Sequence, residues 1–190
     1  IFTRRSMYAV AFAIVFGTAC FFLGRWQLSR YEDKDARANA VEQNYHAAAV
    51  PLLSVLPTAS TPLPEERIWT PVTVTGQYAA SGQLLVRGRA LNTAQGMEVL
   101  VPFRVDGGAI LLVDRGWVPN GDQAADLPTV PPAPAGSVTL TGWLKPSEEA
   151  REKGLPAGQL ATINLEQAQA QIDGRLYAAY LVLGLSLIHI

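Results

Sequence analysis

The chain opens on a stretch with no alternation at all. From Met7 to Gly24 the sequence MYAVAFAIVFGTACFFLG carries no charge, and Tyr8 and Thr18 are its only weakly polar side chains. At about 1.5 Å per residue this run makes a helix of roughly 27 Å, close to the ~30 Å hydrocarbon core of a bilayer. A helix pairs its own backbone groups, so it tolerates a lipid phase that offers no partners. Arg4 and Arg5 precede the run, while Arg25, Trp26 and Arg30 follow it, which puts cations and an indole at headgroup depth. A buried helix of a soluble core passes the same length test, but charges at both ends argue against it. The reading is a transmembrane helix over 7–24, behind an N-terminal flank over 1–6, with the lipid bilayer as its first partner.

Polarity then changes period. No proline or glycine interrupts 25–50, and Leu28, Tyr31, Ala38, Val41 and Tyr45 recur at three- or four-residue steps, which predicts a juxtamembrane helix ended by Pro51. Asp33 and Arg37 form an i,i+4 pair on its polar side. Residues 51–68, rich in proline, serine and threonine, read as a linker with little helix or strand character. From Trp69 onward the period becomes two. Strands are expected over Pro71–Thr75, Gln83–Arg89, Gly96–Val105, Ala109–Val118, Ser137–Lys145 and Arg175–Leu183, with Asp106-Gly107-Gly108 as a reversal. Five prolines bar 119–136 from being an interior strand. Asn164 caps a short helix with Gln167 in the reciprocal position, and Gly174 ends it. The fold class expected is membrane-anchored α+β: an N-terminal transmembrane helix, then an antiparallel, β-rich, barrel-like domain over 69–184 with a short helix.

Composition narrows the chemistry. A length of 190 residues accommodates one anchor and one domain, and a formal charge of −1 gives no reason to expect nucleic acid. Cys20 is the single cysteine and lies in the apolar run, so neither a disulfide framework nor a thiolate metal site can be built. Gly17-Thr18-Ala19 before Cys20 faintly resembles a processing site, but the apolar run continues through Phe21-Phe22-Leu23. His46 reads as a solvated histidine rather than a haem or metal ligand, and Glu148-Glu149 as a solvated pair rather than an acid–base pair. No nucleophile–histidine–acid set and no phosphate-cradling loop is present, so no catalytic or metal residue is assigned and an enzyme is not expected. Charge counts leave sidedness open. Arg25, Arg30, Lys34 and Arg37 follow the helix against Arg4 and Arg5 before it, which taken literally puts the domain in the cytoplasm.

Two blocks are more specific. Leu23-Gly24-Arg25-Trp26-Gln27-Leu28-Ser29-Arg30, closing with Lys34, resembles the LGxWQxxRxxxK signature of the surfeit locus protein 1 family. Leu112-Val113-Asp114-Arg115-Gly116-Trp117-Val118-Pro119 resembles that family's VxRGWVP strand. Pro71–Gly76, Leu85-Val86-Arg87 and Val138–Gly142 match in order, so the resemblance runs from about residue 7 to 183. It implies an assembly factor for haem–copper cytochrome c oxidase that helps haem A insertion or stabilises the catalytic subunit during maturation. Partners implied are that subunit or other oxidase assembly factors. The implied location is the bacterial inner membrane with the β-domain outside the cytoplasm, or the mitochondrial inner membrane. No cofactor is assigned as resident; haem A is at most a transient guest.

Within that resemblance, Trp26, Gln27 and Arg30 form one candidate docking collar and Arg115, Gly116 and Trp117 another. Core packing for Trp117 and a buried ion pair for Arg115, with Asp114 or another acid, are the plainer alternatives. Arg87, Arg89 and Arg104, joined by Arg115, make a candidate patch for haem propionates or an acidic partner if they converge; a solvated face is the simpler reading. The chain departs from the family in lacking a second apolar span with its histidine, so His189 is not matched to that residue. Residues 185–190 read as a foreign tail resembling one frame of a transposon end, on a C-terminally truncated gene. Two other functions remain open: a tethered β-domain that binds an extracellular ligand, and an accessory subunit of a respiratory supercomplex.

Overall fold

The structure, a computed structural model, describes residues 4–121, 126–151 and 154–184. The tail at 185–190 lies outside the described residues, as do the side chains of the Asp33–Arg37 pair. The chain forms two units, 1–42 and 43–190.

The first unit is a single helix, α1 (Arg4–Tyr45), whose last residues belong to the second unit. Within it Ala11–Tyr31 is long and apolar enough to cross a membrane, 21 residues with a mean hydropathy of 1.4 and no burial inside the protein. Large apolar side chains such as Phe12, Phe16 and Phe22 are exposed along it, which suits lipid rather than water. The helix stops at Tyr45 and does not run on to Val50.

The second unit begins with β1 (Val50–Pro51) and a single helical turn, α2 (Leu52–Val55). The linker expected over 51–68 is therefore partly structured, and the reason is legible. Leu52, Val55 and Leu56 fall at i, i+3 and i+4, and all three are buried in the main core. A 3-10 turn over Glu65–Arg67 follows. The strands are β2 (Pro71–Tyr78), β3 (Leu84–Leu91), β4 (Ala94–Val105), β5 (Ile110–Pro119), β6 (Ser137–Pro146), β7 (Gln159–Leu160) and β8 (Leu176–Leu183). The helix α3 (Leu165–Gln169) lies between β7 and β8. Asn164 caps it through Oδ1, which accepts the Gln167 N–H at 2.9 Å; the Asn164 N–H donates to the Thr162 carbonyl instead of to a reciprocal Gln167 side chain.

The sheet order is β1-β2-β6-β8-β5-β4-β3-β7, and β2 also pairs with β4. That extra pairing closes β2, β6, β8, β5 and β4 into a barrel, with the β3 and β7 strands added outside the ring. It is the five-stranded Greek-key plan of OB-type barrels. Most ladders are antiparallel, as expected, but β1–β2, β3–β7 and β5–β8 run parallel. The β5 and β8 strands sit between two cores. Leu111, Val113, Ala179 and Leu181 face one, while Ile110, Leu112, Leu176 and Tyr180 face the other, beneath α3. A third, smaller cluster joins Leu85, Met97, Val99, Val101 and Val118, and Val130 of the proline-rich loop packs against it.

Replacing the fully buried Leu111 by alanine removes a side chain shared by no other layer. It should cost about 2–5 kcal/mol, against about 0.5 kcal/mol or less for the exposed Leu53→Ala. Denaturant melts of the two variants by circular dichroism check this ordering.

Candidate functional site

The end of β5 carries the Arg115-Gly116-Trp117 block, and local geometry splits its side chains. Asp114 Oδ1 accepts the Gly116 N–H at 2.9 Å and Gly116 takes a φ of 113°, which breaks the strand's alternation. Arg115 is 3% exposed. Its Nη1 donates to the Pro131 carbonyl at 2.9 Å, its Nη2 to the Pro132 carbonyl at 3.3 Å, and its guanidinium lies 5.6 Å from the Tyr78 ring centre. Arg115 thus ties the proline-rich loop to the barrel wall. Prolines cannot donate, so a loop of this composition presents carbonyls without competing N–H groups.

Trp117 turns elsewhere. Its indole covers Gly96 so closely that a Cβ there would lie 2.3 Å from the ring, and its Nε1 donates to the Arg89 carbonyl at 3.0 Å. The tryptophan is half-buried, neither a core residue nor a free surface one.

Arg89 is the centre of a charged cluster. Its Nε lies 2.8 Å from Glu98 Oε2, and its Nη2 bonds Glu148 Oε2. Glu148 also accepts the Ile163 N–H at 2.9 Å, so the solvated reading of Glu148-Glu149 is corrected for Glu148. Burial opposes the charge on Glu148, but the Ile163 N–H and Arg89 outweigh it and hold its carboxyl below the usual range. Glu98 behaves in the opposite way. Burial, then the nearby Asp114 charge, push it up to about 7 against the pull of Arg89. Burial also raises Asp114, over the opposing Gly116 N–H, Lys145 and Arg89. Lys145 Nζ sits 5.0 Å from the Trp69 ring centre and 5.6 Å from that of Tyr180.

The predicted arginine patch forms only in part. Arg87 and Arg89 line one open polar cleft of about 340 Å³ together with Glu148, Glu149, Arg151 and Thr162, although the β3–β4 register slips between them. Arg87 Nη1 donates to Gln159 Oε1 at 2.8 Å. Arg104 is exposed and pairs with Ile110, roughly 25 Å along β4 from the positions opposite Arg87 and Arg89. Arg115 is committed to the loop. Convergence of all four is therefore corrected to a pair.

The collar residues Trp26, Gln27 and Arg30 are exposed on α1, with the Arg30 guanidinium 5.1 Å from the Trp26 ring centre. His46 is exposed, its ring edge-on to Tyr45 at 5.2 Å. Tyr45 stacks flat on Trp143 at 4.5 Å and accepts the Trp143 Nε1–H through its carbonyl at 3.0 Å. Asn44 Nδ2 donates to the Glu66 and Ile68 carbonyls at 2.7 and 2.9 Å. This aromatic seam, which includes Trp69 at a strained φ of 63°, was not singled out in the sequence.

An apolar helix able to cross a membrane, followed in the chain by a small closed barrel, defines a class of tethered β-domain proteins. The particular family follows from comparison. The SURF1 family model matches residues 14–186, covering both helix and barrel, and the chain belongs to that family, the surfeit locus protein 1 family of the sequence motifs. Uncharacterized SURF1-like proteins of Mycobacterium bovis and Mycobacterium tuberculosis are each 34% identical over 187 residues, covering 95% of this chain and 68% of theirs. A SURF1-like protein of Rickettsia bellii is 26% identical over 167 residues, 84% of this chain and 64% of its own.

Arg115→Lys keeps the charge but cannot bridge two successive carbonyls. We expect a loss of about 2–3 kcal/mol and faster proteolysis within the proline-rich loop, followed by mass spectrometry of the fragments. The Glu98 carboxyl supplies a pH signature. Its folded pKa lies above the unfolded value of 4.5, so the folded state holds a proton that the unfolded chain has lost. Stability therefore falls as pH rises from about 4.5 to about 7 and levels off above, by on the order of 2 kcal/mol. Glu98→Gln should flatten that slope in melts run across the range.

Proposed function

We propose that this protein is a non-catalytic assembly factor for a haem–copper cytochrome c oxidase, aiding haem A insertion or steadying the catalytic subunit as it matures. The observation that carries the reading is the family match over 14–186, which takes in both signature blocks. In this reading α1 anchors the chain in the bacterial inner membrane and the barrel stands on the extracytoplasmic side. Trp26, Gln27 and Arg30 grip a partner at headgroup depth through an indole, an amide and a guanidinium.

The Arg115–Trp117 block supports the same role by a different route. Arg115 shapes the surface by fixing the proline-rich loop, and the half-exposed Trp117 offers a rigid aromatic contact of the kind enriched at interfaces. Arg87 and Arg89 line the cleft that they share with Glu148, Arg87 bonded to Gln159 and Arg89 paired with Glu98 and Glu148, and an anionic group docking there would compete for these contacts. No step here breaks or makes a bond; the work proposed is binding and positioning.

Deleting the gene should lower haem A-containing oxidase in membranes several-fold, with rescue by the unaltered chain and poor rescue by Trp26→Ala or by paired Arg87→Gln and Arg89→Gln. Absorption spectra of isolated membranes report the oxidase, and immunoblots verify that each variant accumulates. An unchanged oxidase spectrum in the deletion strain overturns the proposal. Protease added to spheroplasts should digest the barrel; protection beside a digested external control overturns the sidedness.

A further inference from the structure

A second cleft, of about 360 Å³, adjoins the one lined by Arg87 and Arg89 and shares Arg151 and Ala161 with it. Its walls come from β7, from the segment just before β7, and from α3 with the turn that follows. Neither signature block reaches it. Two glutamine amides in its wall are oriented by what they bond. Gln159 Oε1 accepts from Arg87 Nη1 at 2.8 Å, and Gln171 Oε1 accepts the Gly158 N–H at 2.7 Å. A guanidinium and a backbone N–H can only donate, so each amide meets its partner with oxygen and leaves its NH2 group for the cleft that both line.

Among the described residues neither Nε2 has an acceptor. Gln159 is only 9% exposed, yet its Nε2 keeps contact with solvent. A largely buried amide with its donors unspent is a group that a ligand can complete. The rest of the lining sets the class of that ligand. Arg151, exposed where the two clefts meet, adds a cation, so the side chains of fixed polarity here are all donors. Leu155, Leu160 and Ala170 add apolar surface beside them. A carboxylate on an aliphatic chain matches both halves: its oxygens accept from the amides and the guanidinium, and its carbons cover the leucines. A phosphate dianion would set two charges against that one cation, next to Glu148 and Glu149 of the adjoining cleft.

We propose that this second cleft binds a carboxylate carried on a short aliphatic chain, as a free acid or as the C-terminal residue of a peptide. The Gln159 and Gln171 NH2 groups donate to the carboxylate oxygens, Arg151 balances the charge, and the carbon chain lies against Leu155 and Leu160. The volume is at the small end of the roughly 300–1,000 Å³ usual for ligand sites, which suits a small acid or one terminal residue. Capture is by hydrogen bonds and charge alone; no covalent bond changes.

The test is magnetic resonance of isotope-labelled glutamine amides in the full chain, held in lipid nanodiscs. Butanoate should move the NH2 signals of Gln159 and Gln171 saturably, whereas butanamide, similar in shape but uncharged, should not. Gln171→Glu keeps an acceptor for the Gly158 N–H and puts an anionic oxygen where the NH2 group stood, so butanoate should bind about tenfold or more weakly while the fold persists. Circular dichroism verifies the fold. A peptide ending in two alanines, run beside its C-terminal amide, separates the sources: tighter binding of the acid peptide than of butanoate assigns a peptide end, and tighter binding of butanoate assigns a free acid. No saturable shift with butanoate, an equal response to butanamide, stronger binding of inorganic phosphate, or unchanged binding in Gln171→Glu each overturns the proposal. None of these readouts involves the oxidase, so they stand or fall apart from the function proposed above.

Discussion

The barrel depends on two strands that have no solvent face. The β5 and β8 strands run parallel, each sandwiched between the core that includes α2 and the core beneath α3, and each side chain along them must satisfy one layer or the other. This is why a domain of modest size can be closed on one side by β2 and β4 and still support a helix on the other. It also explains where polarity is admitted. Asp114 occupies the same alternation as Ile110 and Leu112, at the end of the apolar run, and its charge is compensated by a backbone N–H and by neighbours instead of by water.

From that constraint follows the division of labour in the signature block. A strand buried on both sides cannot present a binding surface along its length, so what it offers must come at its end. There Arg115 and Trp117 leave in different directions, one to hold the proline-rich loop, the other to cover Gly96 and reach Arg89. Neither residue is a free reactive group. Both convert local sequence into the shape of a surface.

Much of this was readable in advance, and the failures have physical causes. The long apolar run, the period-two segments and the Asn164 cap are local signals, and each has its element in the structure. The parallel β5–β8 pairing is non-local, although near-continuous apolar runs such as Ile110–Val113 and Leu176–Leu183 are what parallel strands buried on both faces look like. Leu52, Val55 and Leu56 were hidden by surrounding prolines and serines. The carboxylate cluster was missed because its members lie on different strands. A lone charge between Met97 and Val99, or between Val113 and Arg115, was the available hint of a buried polar group. Arg104 failed to join Arg87 and Arg89 because residues alike in type were assigned to one place without a strand order to test them.

The seam around Tyr45 has a practical side for anyone preparing the barrel as a water-soluble fragment. Two residues that belong by sequence to the end of the long helix complete the packing of the globular part: the Asn44 amide serves two backbone carbonyls and the Tyr45 ring shields Trp143. A recombinant piece starting at Ala47 would expose an indole and strip those carbonyls of their donor. Starting at Gln43 or earlier keeps the seal, so the natural cutting point falls inside a helix and not at the first proline after it.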